Sequence, residues 1–249
     1  MRIELMLIGD ELLTGEVDPY PVEMIKTVRA RGAYLSQMAM VADDLDAIVA
    51  EIEAARARGT ELLVVTGGLG PTLDDVTRHA LAKYLDAVLE IDPQAQTWLE
   101  GSLRRMHGRR PKASEQALLM AKVPKGSKAL HNPVGAACGI DALAGEMRIL
   151  CLPGFPKEMM AMFELHVLPC IVSEGLVERE LRIKLRETTM EPLFQQLVRE
   201  FQVRIASLPK EDWREKGNVV VIKGRREEVE RAAELFLELV QEKEDEFLD

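Results

Sequence analysis

The sequence is poor in the residues that many chemistries require. Three cysteines, Cys138, Cys151 and Cys170, are spread over 249 residues. They are too few and too far apart for a disulfide framework or a zinc site, and read as buried free thiols of a reducing compartment. The four histidines, His79, His107, His131 and His166, form no ligand-spaced cluster. No Ser/His/Asp or Cys/His arrangement stands out for nucleophilic catalysis. No run of about 18 apolar residues exists, so no membrane span is expected. The first strand-like run begins at Ile3 without a signal-peptide layout, so a cytoplasmic protein is expected. Basic residues are outnumbered: 32 Lys+Arg against 42 Asp+Glu leave a net charge of −10. That balance disfavours nonspecific binding to nucleic acid or to anionic membranes, but leaves room for a small anionic ligand held by local geometry.

What is present is an ordinary globular composition, 47% apolar and 30% charged. The length suits one large domain and a small one. The first ninety residues alternate two periods. Ile3–Ile8 reads as a buried strand ending at Gly9. Pro21 opens a helix with Val22, Ile25 and Val28 inward, closed by Gly32. Tyr34–Val41 reads as a strand. Asp43 or Asp44 caps a helix that points Leu45, Ile48, Val49 and Ile52 inward. Leu62–Val65 is a third strand, and a helix runs from about Asp74–Thr77 to Leu85. Strand and helix alternating at this spacing predict a parallel sheet between helices. Val88–Ile91 reads as an edge strand. Helices are expected over Pro93–His107, ahead of a basic stretch to Lys112, and near Ser114–Met120. Residues 123–146 read as loops and short hairpin strands. Arg148–Leu152 is another buried strand, and Met159, Met162, Phe163 and Val167 line one side of the helix after it. A boundary falls near Ser173–Glu178. Strand Leu181–Leu185, helix Met190–Phe201, strands Val203–Ala206 and Val219–Ile222 and helix Glu227–Val240 then form a compact α+β unit, and an acidic run from Glu242 closes the chain.

The chemistry concentrates in Thr66–Thr77, TGGLGPTLDDVT. A glycine-rich turn after a parallel strand frees backbone N–H groups to cradle phosphate, and the helix N-terminus that follows adds partial positive charge. It is neither a Walker A loop, since no Gly-Lys-Ser/Thr follows, nor a dinucleotide fingerprint, since the glycine spacing differs. Asp74 and Asp75 beside such a cradle would repel a phosphate. A divalent cation bridging carboxylate and phosphate oxygens resolves the conflict; alternatively, one aspartate caps the helix at Thr77. Three more segments end strands on the same sheet edge: Gly9-Asp10-Glu11, Asp43-Asp44 and Pro153-Gly154-Phe155-Pro156-Lys157-Glu158. Together these turns suggest a site for a polar anhydride.

GDELLTG (Gly9–Gly15), VADD (Val41–Asp44), TGGLGPTLDDVT and LPGFPKEM (Leu152–Met159) resemble the competence/damage-inducible CinA family in order and spacing. The resemblance covers about residues 1–172, which correspond to the family's MogA/MoaB-like, molybdopterin-binding-like domain. The tail at 178–249 resembles the small KH-like domain that follows it, although it lacks the Gly-x-x-Gly clamp of RNA-binding versions. The expected fold is therefore α/β, a three-layer mostly parallel sheet with a small C-terminal α+β domain. No counterpart of the family's amidase domain is seen. The resemblance implies metal-dependent cleavage of a nucleotide pyrophosphate such as ADP-ribose or FAD. The alternatives are a molybdopterin-binding or adenylylating protein, and a nucleotide-binding module with a lapsed site. The resemblance places functional acids at Asp43 and Asp75 and phosphate at Gly67, Gly68 and Gly70. Asp10 is a third candidate acid, and a divalent ion (Mg²⁺, Mn²⁺ or Co²⁺) would be held by Asp75 with help from Asp43 or Asp10. Substrate would be held by Gly9, Glu11, Thr66, Gly67, Gly68, Gly70, Pro71, Thr72, Gly154, Pro156 and Lys157. The expected partners are a small nucleotide and a second copy of the chain in a homodimer. The sequence departs from the family pattern at Asp18-Pro19-Tyr20-Pro21, at Ala113-Ser114-Glu115 and at Ala137-Cys138-Gly139.

Overall fold

The computed structural model describes residues 1–17, 21–107, 113–173, 175–209 and 212–246. Asp18, Pro19 and Tyr20 of the departing segment, residues 108–112 of the basic stretch, Glu174 of the boundary and the last three residues of the acidic run lie outside them. The chain divides into two compact units, Met1–Val172 and Ser173–Asp249.

The first unit begins β1 (Ile3–Ile8), α1 (Asp10–Thr14), α2 (Pro21–Ala30), β2 (Leu35–Val41), α3 (Leu45–Ala57), β3 (Leu62–Thr66), α4 (Thr77–Tyr84). It continues β4 (Leu89–Ile91), α5 (Pro93–His107), α6 (Glu115–Leu119), β5 (Lys122–Pro124), β6 (Lys128–Leu130), β7 (Gly139–Ala144), β8 (Met147–Leu152) and α7 (Pro156–Met162). A π-helical stretch, Phe163–Val167, extends α7. The main sheet has the order β2-β1-β3-β8-β7-β6. Its first four strands are parallel, and β7 and β6 run antiparallel beyond them.

The strand period of two builds the three layers. Leu5, Leu7, Val64, Leu150 and Leu152 face one core with Met24, Val28 and Phe163. Met6, Ile8, Leu63, Val65 and Ile149 face the other, with Ile48, Ile52, Leu81 and Leu99. One exception is Glu4, a strand residue only 2% exposed. Burial alone would raise its pKa, but hydrogen bonds from Arg58 and Arg2 outweigh that and hold it lowered. Arg58 makes the shortest of these contacts, 2.6 Å from Nη2 to Glu4 Oε2, and so ties the end of α3 to β1.

Several sequence expectations need correction. Val22 and Ile25 are exposed; α2 instead buries Pro21, Met24 and Val28, a true i, i+3, i+7 stripe. The edge strand expected at Val88–Ile91 is present as Leu89–Ile91, in a separate two-stranded sheet with β5. Of the cysteines, Cys138 and Cys151 are buried, while Cys170 is only partly so and donates to the His166 carbonyl.

The second unit comprises β9 (Leu176–Ile183), α8 (Glu187–Glu200), β10 (Val203–Leu208), α9 (Trp213–Lys216), β11 (Asn218–Arg225) and α10 (Arg226–Glu246). The strand expected at Leu181 starts at Leu176, because every residue from Leu176 to Ile183 has a partner on β11. The sheet is antiparallel, in the order β10-β11-β9. Val220 and Ile222 pack against Leu197, Phe194 and Phe236 of α8 and α10.

Candidate functional site

From β1 the chain crosses to β2 on one side and then to β3 on the other. That reversal is a topological switch point, and the crevice beyond the strand C-termini there is where open α/β sheets bind ligands. A cavity of about 580 Å³ lies there. The end of β1 contributes Gly9 and Glu11, and the turn after β2 contributes Asp43. The loop after β3 supplies Gly67 through Thr72 with Asp74 and Asp75, and the turn after β8 supplies Pro153, Gly154, Phe155 and Glu158. Met120, Ala136 and Ala137 close the far side.

The loop after β3 is held by its own sequence. Gly67 has φ 102°, and a Cβ there would collide with the Ile8 carbonyl oxygen, so only glycine fits. Its N–H donates to the Leu152 carbonyl at 3.0 Å, joining the loop to β8. Thr77 then fastens the turn from below: its Oγ1 donates to the Gly67 carbonyl at 2.8 Å and its N–H to the Gly68 carbonyl at 3.2 Å. Neither Asp74 nor Asp75 caps α4, which begins at Thr77 after Val76 with no side-chain cap. Asp75 turns back instead. Its Oδ1 accepts from the Gly70 N–H at 2.6 Å, and its Oδ2 from the Thr72 N–H at 2.8 Å and the Thr72 hydroxyl at 2.5 Å. The carboxylate is taken up by the loop amides and not by the first turn of α4. Beneath the loop, the fully buried Arg78 donates to the carbonyls of Leu69, Leu119 and Lys122.

Across the cavity, Asp10 and Asp43 exchange hydrogen bonds: each carboxylate accepts the other's N–H, at 3.0 and 3.1 Å. Asp44, next along, is the N-cap of α3 and accepts from Ala47 N–H at 2.8 Å. The Asp43 pKa is raised, first by burial and then by the charges of Asp10, Glu11 and Asp74, despite the lowering hydrogen bond from the Asp10 amide. The lining thus carries Glu11, Asp43, Asp74, Asp75 and Glu158, and no Lys, Arg or His among the described residues.

The donor set suits a hard cation, since every polar side-chain ligand in the lining is an oxygen, from the five carboxylates and the Thr72 hydroxyl. A carboxylate offers about four lone pairs. Asp75 has spent three on the loop, and Asp43 has spent one on Asp10. No group of three or more His, Cys, Asp or Glu stands ready as a cage among the described residues. The residues fit a cation that takes one or two carboxylates and completes its shell with water and ligand oxygens, as Mg²⁺ does.

Some expected residues stand apart. Asp10 acts on Asp43 rather than lining the cavity, and Thr66 is the buried last residue of β3. Pro156 and Lys157 form the exposed first turn of α7, outside the lining. Of the far wall, Met120 and Ala136 are not marked by the sequence reading, and Ala137 is marked only as part of the departure Ala137-Cys138-Gly139. The wall is organised by Asn132, whose Oδ1 accepts from Val134 and Gly135 N–H while its Nδ2 donates to the Ala137 carbonyl and Glu158. The Asn-Pro-x-Gly turn at residues 132–135 is the one local signal that marks it. Cys138, at a position where the sequence departs from the family pattern, is buried core beside this wall.

Residues 4–172 match the family described as "Probable molybdopterin binding domain". A Pyrococcus abyssi protein is 33% identical over 216 residues, spanning 84% of this chain and 86% of its own length. A CinA-like protein of a Geobacter species is 39% identical over 171 residues, which are 68% of this chain and 40% of that protein. Among solved structures, the CinA protein of unknown function from Thermoplasma acidophilum is similar. It has 31% identity and a TM-score of 0.60, over 68% of this chain and 98% of that one.

Proposed function

The chain belongs to the CinA-like branch of the molybdopterin-binding-domain family, and on that premise we propose that it is a metal-dependent nucleotide pyrophosphatase acting on ADP-ribose-like or FAD-like substrates. The observation that carries this reading is a contradiction inside the cavity. A glycine loop built to meet phosphate is surrounded by five carboxylates, with no basic side chain in the lining among the described residues. A pyrophosphate would be repelled there unless a cation stood between the two sets of oxygens.

Asp43 and Asp75 would hold the cation, which supplies charge neutralisation at the phosphorus and a template for in-line attack by water. The chain does the positioning. The N–H groups of Gly68 and Leu69 have no hydrogen-bond partner among the described residues, and so are available to a phosphate oxygen. Asp75 keeps the loop open by taking up the Gly70 and Thr72 amides. Asp10 orients Asp43 through the reciprocal pair. Water adds across the phosphoanhydride, so ADP-ribose would give AMP and ribose 5-phosphate, and FAD would give AMP and FMN.

The test is incubation of the protein with ADP-ribose, FAD and NAD, with and without Mg²⁺, Mn²⁺ or Co²⁺, followed by assay for AMP. AMP is expected only when metal is present. Retained molybdopterin, or its adenylylation from ATP, would replace this reading with that of a pterin-handling protein. Nucleotide binding without any turnover would mark a lapsed site.

A further inference from the structure

Phe155 is the only exposed aromatic side chain among the described residues whose burial is assigned. It is 74% exposed and lines the cavity. Its backbone is held on both sides. Gly154 before it is pressed so close to the glycine loop that a Cβ there would sit 3.3 Å from Gly67 Cα. Pro156 after it is the first residue of α7, and the Phe155 carbonyl accepts from Met159 N–H at 2.8 Å. A benzyl side chain has no polar tip to hydrate, so a rigid turn presents an apolar ring at the mouth of an otherwise acidic cavity.

The cavity is divided in character. Glu11, Asp43, Asp74, Asp75 and the glycine loop make one half. Met120, Ala136, Ala137 and Pro153 give the other an apolar wall, where Glu158 is the one lining carboxylate and is bonded to Asn132. Asn132 and Ser102 pin that wall, the latter by donating to the Gly135 carbonyl at 2.9 Å. A ligand that matches both halves has a charged end and a flat apolar end. We propose that Phe155 is a specificity-determining residue that stacks on the planar nitrogen heterocycle of the substrate, while the phosphates lie on the glycine-loop side. This rests on the reading of the cavity as a nucleotide pyrophosphate site. It adds which part of the nucleotide is recognised, and by which residue.

The test compares a ligand that has the ring with one that lacks it. Dissociation constants for ADP-ribose and for inorganic pyrophosphate, both with Mg²⁺, are measured on the parent, Phe155→Ala and Phe155→Trp. Phe155→Ala is expected to loosen ADP-ribose by about tenfold to a hundredfold, the usual range for a lost base-on-aromatic stack, and to leave pyrophosphate unchanged. In turnover, KM rises and kcat holds. Phe155→Trp keeps the affinity, and its added fluorescence is quenched by ADP-ribose but not by pyrophosphate. Equal ADP-ribose affinity in the parent and Phe155→Ala overturns the proposal. So does an equal weakening of both ligands, since the ring would then act on the loop rather than on a heterocycle. The two readings fail separately. A parent that binds ADP-ribose without cleaving it removes the pyrophosphatase while leaving the stacking result to stand. A parent that binds neither ligand removes both.

Discussion

Asp75→Asn is expected to cost metal-dependent turnover about 10²–10³-fold, roughly 3–4 kcal/mol of transition-state stabilisation. It is also expected to lower the melting temperature. The carboxylate accepts from the Gly70 amide on one oxygen and from the Thr72 amide and hydroxyl on the other. A carboxamide has a single acceptor oxygen, and its NH₂ would face one of those donors. At least one charge-assisted hydrogen bond is lost, at about 1.5–3 kcal/mol. For a chain of this size that is a fall of roughly 4–8 °C. The negative charge beside the cation is lost as well. A plain helix cap behaves differently, because asparagine caps as well as aspartate and the melting temperature would hardly move. Unchanged melting together with unchanged metal-dependent turnover would remove Asp75 from both the loop and the site.

Arg78→Met is expected to be the most destabilising single change near the site, by about 4 kcal/mol or more. The guanidinium joins three segments through three carbonyls: Leu69 in the glycine loop, Leu119 at the end of α6 and Lys122 at the start of β5. Burial pushes its pKa down, yet guanidinium remains protonated at any working pH. Its neighbours Cys138 and Cys151 are raised by burial, to about 11 and about 12, and so stay neutral thiols. The charge is therefore balanced by the carbonyl dipoles and by the nearby Asp75 carboxylate, not by the thiols. Methionine fills most of the volume but leaves those carbonyls unpaired in the interior. A melting temperature lower by roughly 10 °C or more is expected, with a raised KM as the loop loosens. Arg78→Lys should recover little, because one ammonium lacks the fork that reaches three acceptors. A methionine variant melting within about 2 °C of the parent would show that the loop is carried by Thr77 and Asp75 alone.

Much of this was legible in the sequence for a local reason. In a parallel α/β sheet every strand C-terminus faces the same edge, so Gly9, Asp43, Gly67 and Gly154 have to converge once Ile3–Ile8, Tyr34–Val41, Leu62–Val65 and Arg148–Leu152 read as strands. What stayed hidden depends on contacts distant in sequence, or on competition between nearby partners. Asp74 and Asp75 sit at cap spacing from Thr77, but the amides of Gly70 and Thr72 compete for Asp75 and win. The wall at Ala136 and Ala137 comes from a loop with no periodicity, shaped by Asn132 reaching Glu158 of α7. Arg78 reads as an ordinary helix residue, because its partners lie nine to forty-four positions away. In α2, the apolar Val22 and Ile25 imitate an inward stripe that Met24 and Val28 actually form.

The central claim is that a cation reconciles five carboxylates with a phosphoanhydride, and calorimetric titration of ADP-ribose tests it most directly. The titration is run once with Mg²⁺ in excess and once in EDTA. Measurable affinity with Mg²⁺, falling at least about a hundredfold in the chelator, is the expected result, because the bare cavity presents like charge to the ligand. Binding as tight in EDTA as in Mg²⁺ would contradict the account. The carboxylates would then have to be reconciled with the ligand without any metal.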